Sequence, residues 1–123
     1  MAGKGNEDGP PGRYETGGRV VDDSYNANPA AVMAAIDTLA RESAYSVLIL
    51  GPMLELGPTS DALHGDVGRY AKAAGIDLLV AVGPEAAAAA EAYGEGSHYF
   101  SNQQALWAAF PELPNEHLIW VKG

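Results

Sequence analysis

The feature that most limits the possible folds of this chain is a regular alternation of short apolar runs with longer segments of helical periodicity. The runs Tyr45–Leu50 (YSVLIL) and 76–82 (IDLLVAV) are almost entirely apolar, which is typical of strands buried on both faces of a parallel sheet. Shorter apolar runs predict three further strands, at 19–22, 98–100 and 117–121. The segments between the strands have helical spacing and predict four helices, at 29–43, 60–74, 84–93 and 102–110.

This alternation predicts an α/β fold, with a Rossmann-like, mostly parallel sheet and helices on both of its faces. A strand–helix–strand unit joins parallel strands through a right-handed crossover, so repeated units build such a sheet. A length of 123 residues suits a single domain. Sheets of this kind bind ligands in the loops beyond the carboxyl ends of their strands. We therefore expect the loops at 22–28, 51–58 and 83–84 to form the ligand-binding edge.

The composition narrows the classes of function. The chain carries 7 basic and 16 acidic residues, a formal net charge of -9. That balance argues against a nucleic-acid or anionic-membrane partner, because both require clustered Lys and Arg. No cysteine is present, which excludes disulfides, a thiol nucleophile and cysteine-ligated metals. No apolar run approaches the roughly 20 residues of a membrane span, and we expect a cytoplasmic protein.

The amino-terminal residues differ in character from the rest of the chain. Residues 1–11 (MAGKGNEDGPP) are polar and rich in Gly and Pro, so they have too little apolar surface to offset the entropy of ordering. We therefore predict a disordered leader or linker over 1–11 and a folded domain over 12–123.

The segment DDSYNANP, which follows the first predicted strand, carries the densest group of polar side chains. Two carboxylates, a phenol and two carboxamides lie just before a helix N-terminus, where backbone N–H groups and the helix dipole favour anions. Such carboxylates can accept hydrogen bonds from ribose hydroxyls or hold a cation. The alternative is an Asx-rich loop that caps the helix, with Asn28 as N-cap and Pro29 as first helical residue, and the pattern alone favours it.

Three further residues are weaker candidates. Glu55 is the acid of the apolar loop GPMLELG (51–57), a composition that often lines a pocket. His64 follows that loop and could carry a proton, or it could be a structural histidine of a helix. Lys122, at the end of the last predicted strand, could reach a phosphate or carboxylate, although a charged chain end is the ordinary explanation.

The sequence lacks the motifs of self-contained catalysis. It has no GxGxxG, GxxxxGK[ST], GxSxG or HExxH motif, and its three histidines show no metal-ligand spacing. We therefore assign no catalytic residue and no metal site to the chain by itself.

Several stretches together resemble the C-terminal domain of the Mur ligases, in particular the MurF type. They are VDDSYNANPAAVMAAIDTLA (21–40), LILGPMLELG (48–57), LHGDVGRYAKAAGID (63–77), VAVG (80–83) and the closing VKG. The resemblance implies a three-domain enzyme, with a domain for the UDP-sugar peptide, a central P-loop ATPase and this domain. It implies that ATP, with Mg²⁺, converts a substrate carboxylate to an acyl phosphate, which the amine of D-alanyl-D-alanine attacks to form an amide of a peptidoglycan precursor.

The resemblance also assigns roles to individual residues. It places Arg13 and Asp23 on the nucleotide side, and groups the remaining candidates as contacts to substrate or to the other domains. These are Tyr25, Asn26, Asn28, Glu55, His64 and Lys122. Pro52 stands where the family typically has an acid, and the segment between Arg13 and Asp23 is shorter than usual.

The same resemblance predicts what the chain does by itself. Because the chain stops within the family's KGS motif, we expect a domain without its final helix. We expect it to be inactive alone and to bind neither ATP nor Mg²⁺ without the other two domains. The alternative is a stand-alone binding or structural module on the same fold. A receiver-like regulatory domain is a third option, but it lacks the phospho-acceptor Asp, since Leu50-Gly51-Pro52 occupies that place.

Overall fold

The computed structural model describes residues 18–23 and 28–123. The predicted leader 1–11, the start of the domain at residue 12, and the candidates Arg13, Tyr25 and Asn26 lie outside the described residues. The strands are β1 (Arg19–Asp23), β2 (Tyr45–Leu50), β3 (Leu78–Val82), β4 (Ser97–Phe100) and β5 (His117–Lys122). The helices are α1 (Pro29–Ala40), α2 (Ser60–Ala74), α3 (Ala87–Tyr93) and α4 (Gln103–Ala108).

The five strands form one sheet in the order β1-β5-β2-β3-β4, and every neighbouring pair is parallel. The chain steps in one direction across the sheet from β1 to β4 and then returns to insert β5 beside β1. Right-handed crossovers place helices on one face while the direction is constant, and on the opposite face once it reverses. The reversal after β4 thus explains why α4 alone lies on the other side. The predicted α/β fold, with helices on both faces, is confirmed.

Each face of the sheet has its own apolar core. On the first face, α1, α2 and α3 pack against the strands through a cluster that includes Val32, Ile36, Leu39, Val67, Ala71, Tyr93, Leu48, Leu50 and Leu79. On the second face, α4 and the residues after it cover a cluster that includes Val20, Val47, Ile49, Val80, Val82, Leu106, Phe110 and Ile119. Since β-strand side chains alternate between faces, consecutive residues at a strand end point to opposite sides.

The two helix ends with the clearest local signals were predicted correctly. The side chain of Asn28 accepts a hydrogen bond from the N–H of Ala31 at 2.9 Å, with Pro29 at the first helical position. Gly75 ends α2 in the left-handed conformation, at φ 90°. Residue 74 is therefore the last helical residue, as the sequence indicated.

Other boundaries differ from the prediction where hydrogen bonds outside the element intervene. Helix α1 ends at Ala40 rather than 43, because the N–H groups of Arg41 and Glu42 bond three residues back. Thr59 precedes α2, and the polar residues at 59–60 predict a side-chain cap there. That prediction is wrong, because the Thr59 hydroxyl donates instead to the Leu56 carbonyl within a 3₁₀ turn that leads into the helix.

Strand β3 begins at Leu78, two residues after the predicted start. The N–H of Ile76 still bonds to Ala71 at the helix end, and the Asp77 carboxylate accepts from both the N–H and the hydroxyl of Ser46. The two shorter helices are also shorter than the predicted 84–93 and 102–110. Helix α3 begins only after a 3₁₀ turn at Pro84–Ala86, and α4 spans six residues after its N-cap Asn102.

Candidate functional site

The carboxyl ends of β1, β5 and β2 lie side by side and bring together residues from opposite ends of the sequence. The register pairs Asp23 with Lys122 and Lys122 with Leu50, so all three side chains point to the first face. The Lys122 Nζ donates to Asp23 Oδ2 at 2.8 Å. The lysine is buried, with 2% of its surface exposed, whereas 40% of the Asp23 side chain is exposed. The ammonium therefore lies inside and the carboxylate lies at the surface.

A cleft of about 370 Å³ opens on the second face at the same edge of the sheet. Its apolar lining comes from Ile49, Val82, Val121 and Leu106, and polar groups are contributed by Asp22 and Gln103. Trp107 forms one wall, with 38% of its surface exposed. The adjacent aspartates thus lie on different faces of the sheet. Asp23 contacts Lys122 on the first face, and Asp22 lines the cleft on the second face.

Gln103 and Trp107 were not among the residues predicted for a site. The sequence identified their helix, but nothing local shows that α4 crosses to the second face above the strand ends. Only the strand order, with its reversal before β5, places them there. That reversal is also where sheets of this type form ligand crevices.

The loop at 51–57 is tied to the end of the sheet. The Gly51 N–H donates to the Lys122 carbonyl at 2.7 Å, and a Cβ on Gly51 would lie 2.5 Å from the carbonyl oxygen of Gly123. No side chain fits at Gly51, so glycine permits this close approach. Pro52 lines the cleft and contacts Gly83. Glu55 is exposed and has φ 64°, a left-handed conformation that is strained for a residue other than glycine.

His64 lies beneath this loop and is fully buried. The Met53 N–H donates to Nε2 at 2.9 Å, so Nε2 is unprotonated and the proton lies on Nδ1. Nδ1 in turn donates to the Ser60 carbonyl at 2.8 Å. Both ring nitrogens are therefore engaged within the chain, an arrangement that favours the structural alternative over a proton carrier.

The predicted site residues that the structure describes thus lie near one edge but do not converge on a single point. Asp23 and Lys122 are in contact, Asn28 caps α1, Glu55 is on the surface of the loop, and His64 is beneath it. Their roles toward a ligand stay predictions. Within residues 18–23 and 28–123, no group of three or more His, Cys, Asp or Glu side chains could hold a metal ion.

The opposite, amino edge of the sheet holds a structural polar cluster. The Tyr93 hydroxyl donates to the Ile76 carbonyl, and the Asp77 carboxylate joins β3 to β2 through Ser46. Burial raises the pKa of Tyr93 above its ordinary value of 10.0, with smaller contributions from Asp77 and Tyr45. These groups stabilise the strand starts and lie away from the ligand edge.

Comparison with known families identifies the domain. A family model described as "Mur ligase, glutamate ligase domain" matches residues 12–123. The chain belongs to the Mur ligase family. Its resemblance to the MurF type is likewise confirmed by individual relatives and by solved structures. No described helix of this Mur ligase domain is long and apolar enough to cross a membrane.

The curated relatives share one enzyme name. The Mur ligase domain is 44% identical over 107 residues to the UDP-N-acetylmuramoyl-tripeptide–D-alanyl-D-alanine ligase of Escherichia coli (strain K12), covering 85% of this chain and 24% of the relative. It is 36% identical over 97 residues to the ligase of the same name from Haemophilus influenzae, covering 79% of this chain and 21% of that protein. The chain thus spans about a quarter or less of these relatives' lengths.

Two solved structures contain a region with the fold of this domain. MurF from Acinetobacter baumannii matches with a TM-score of 0.69 and 30% identity, covering 81% of this chain and 24% of that one. The MurF ligase of Thermotoga maritima in complex with ADP matches with a TM-score of 0.69, covering 87% of this chain and 25% of that one. At 24% identity, this second likeness supports the fold alone.

Proposed function

We propose that this chain is the C-terminal domain of a longer, ATP-dependent ligase that joins D-alanyl-D-alanine to UDP-N-acetylmuramoyl-tripeptide. The observation that carries the proposal is the family match over residues 12–123, together with relatives that share this enzyme name at up to 44% identity. The rest of the enzyme would then consist of a central ATPase domain and an N-terminal domain for the UDP-sugar substrate.

Within that enzyme the domain presents the amino substrate and contributes part of the nucleotide contact at its carboxyl edge. The exposed carboxylate of Asp23 suits this role, because it can accept a hydrogen bond from a ribose hydroxyl. Arg13, Tyr25, Asn26, Asn28, Glu55 and Lys122 complete the proposed set on the evidence of the resemblance alone. We place His64 behind the 51–57 loop, as a residue that shapes it.

The cofactors of the reaction fit this domain only in part. ATP supplies the phosphoryl group that activates the substrate carboxylate, and this chain contains no GxxxxGK[ST] segment to bind the phosphates. The donor set for Mg²⁺ is also insufficient in the part of the chain that the structure describes. We therefore assign the phosphate and metal contacts chiefly to the ATPase domain. The net charge of -9 agrees with that division, because the phosphate-binding cations would lie elsewhere.

A coupled ATPase assay tests the proposed inactivity of the chain alone. With D-alanyl-D-alanine and Mg-ATP present, we expect no phosphate release above the buffer background. The full-length Escherichia coli ligase, assayed with its UDP-sugar substrate, serves as the positive control. Turnover by the isolated chain well above background would contradict the proposal.

The rival proposal, a stand-alone binding or structural module, is tested separately. If the source gene encodes a GxxxxGK[ST] segment upstream, the chain is a domain of an enzyme; if it does not, the module is favoured. NMR titrations with D-alanyl-D-alanine and with ATP add a direct measurement. Chemical-shift changes confined to 22–28 and 51–58 would indicate a surviving half-site.

We also propose a cytoplasmic location for the longer ligase.

A further inference from the structure

The burial of Lys122 calls for an explanation beyond stability. Only 3% of its side chain is exposed, and its strand neighbour Leu50 belongs to the apolar core of the first face. Removing an ammonium from water is strongly unfavourable unless a counter-charge is close. Replacing both partners of a buried ion pair with apolar residues often leaves a protein equally stable or makes it more stable. The stability of the fold alone therefore does not account for an ion pair at this position.

The geometry of the ion pair is asymmetric. Lys122 and Asp23 are direct neighbours across the β1–β5 ladder, and Nζ donates to Oδ2 at 2.8 Å. The ammonium is enclosed, whereas the carboxylate is 40% exposed at the strand ends. A ligand that approaches this edge from the first face thus meets the carboxylate of Asp23 before the lysine side chain, and residue 122 also lines the cleft on the second face. The lysine can influence the ligand chiefly through the carboxylate that it holds.

We infer that Lys122 is a positioning residue that acts through Asp23. Its ammonium holds Oδ2 and restricts the rotation of the carboxylate, so that the other oxygen faces outward in one orientation for a ligand hydroxyl. This differs from the expectation that Lys122 reaches a phosphate or carboxylate itself. The inference rests on the proposed function in one respect, because the nucleotide role of Asp23 comes from the resemblance.

The first test measures the orientation of Asp23 in the 123-residue chain. NMR three-bond couplings report the χ1 rotamer of Asp23 in the wild type, in Lys122→Met and in the matched control Lys72→Met. Methionine has a similar length without charge, and Lys72 is an exposed lysine whose replacement changes the net charge equally. We expect one dominant rotamer in the wild type and in Lys72→Met, and rotamer averaging in Lys122→Met. A folded Lys122→Met chain that keeps one Asp23 rotamer would overturn the inference.

A measurement on the wild type covers the case in which Lys122→Met does not fold. A buried, hydrogen-bonded ammonium exchanges slowly enough to be observed, and its Nζ resonance should show a scalar coupling to the Asp23 carboxyl carbon across the hydrogen bond. Loss of that coupling in Asp23→Ala, with Nζ still assigned, supports the pairing, because alanine has no side-chain acceptor. A slowly exchanging Lys122 ammonium with no coupling to Asp23 would refute it.

A double-mutant cycle in the longer ligase then separates positioning from direct contact. We expect Asp23→Ala to raise the KM for ATP about tenfold, as for one lost hydrogen bond to a charged group. Lys122→Met should raise it about threefold, because averaging over three staggered rotamers leaves about one third of the carboxylate in the binding orientation, and kcat should change less than about twofold in both. The double variant should show no further increase. An additional rise in KM from Lys122→Met in the Asp23→Ala background, where no side-chain acceptor is left to position, would show that the lysine touches the nucleotide, against our inference. If Asp23 becomes mobile but neither variant alters KM, the positioning holds and the proposed nucleotide role of Asp23 fails.

Discussion

Replacing His64 tests whether this histidine holds the 51–57 loop in place. In His64→Leu both hydrogen bonds of the ring are lost, and the N–H of Met53, a residue with 1% exposure, is left buried without a partner. An unsatisfied buried donor costs about 1–3 kcal/mol, and the second lost bond adds about 1 kcal/mol. Because leucine is close to histidine in volume, little cavity cost is added. We expect the free energy of unfolding to fall by about 2–4 kcal/mol.

Two polar replacements separate the contributions of the ring nitrogens. A glutamine at 64 can place its amide oxygen near the position of Nε2 and accept from the Met53 N–H, so His64→Gln should lose less stability than His64→Leu. An asparagine can place its amide nitrogen near Nδ1 and donate to the Ser60 carbonyl, which leaves the Met53 N–H unpaired. The exposed His98 is the matched control, and His98→Leu should stay within about 0.5 kcal/mol of the wild type.

Urea unfolding followed by circular dichroism measures these differences, and amide hydrogen exchange of Met53 reports the bond itself. Exchange should be slow in the wild type and in His64→Gln, and fast in His64→Leu and His64→Asn. If His64→Leu unfolds within about 0.5 kcal/mol of the wild type and its Met53 amide still exchanges slowly, our explanation of the loop is wrong. If His64→Gln keeps its stability but abolishes turnover in the longer ligase, the histidine carries a proton after all.

Two further predictions concern the helix interface and the amino edge. A Cβ on Gly68 would lie 2.1 Å from the Ala89 carbonyl oxygen, whereas one on Gly65 would meet nothing closer than 3.7 Å. In urea unfolding, the free energy of unfolding of Gly68→Ala should therefore fall by about 1–2 kcal/mol, because overpacking outweighs the gain in helix propensity. For Gly65→Ala it should rise by about 0.5–1 kcal/mol. Equal effects of the two substitutions would contradict the close α2–α3 contact. Burial, and then the charge of Asp77, raises the pKa of Tyr93, so the folded state holds this proton more tightly than the unfolded chain. The stability that the bound proton of Tyr93 confers is complete below about pH 10 and declines as pH rises through the higher folded pKa. In Tyr93→Phe, the free energy of unfolding should therefore fall less between about pH 8 and about pH 11 than in the wild type. An equal fall in the variant would exclude Tyr93 as the source of this pH dependence.

Local signals account for the parts of the fold that were predicted well. Asn28 and Pro29 carry their own capping chemistry, and Gly75 supplies the left-handed residue that ends a helix. The end of α1 and the capping of α2 differ from the prediction because hydrogen bonds to residues three positions back replace the predicted pattern. A third prediction was wrong because a partner distant in sequence decides the outcome. Strand β3 starts late because Asp77 bonds to Ser46, 31 positions earlier in the chain.

The candidate site shows the same division. The polar residues of the 22–28 segment were identified from the sequence, and the family resemblance was sufficient to assign the domain. The partners of the two aspartates, Lys122 for Asp23 and a cleft below α4 for Asp22, could not be read from the sequence. Strand alternation would have separated the aspartates, but their partners depend on the order of strands in the sheet.

The amino-acid sequence by itself determined the strand and helix types, the parallel α/β class and the family, because periodicity, caps and motifs are properties of contiguous residues. Only the tertiary structure decided that β5 lies between β1 and β2, which brings Lys122 against Asp23 across 99 positions of sequence. It also decided that His64 is buried under the loop rather than open to a ligand. The physical reason is the same in both cases. Long-range strand pairing and burial depend on which surfaces come into contact when the sheet and its helices assemble, and no local sequence pattern alone specifies those contacts.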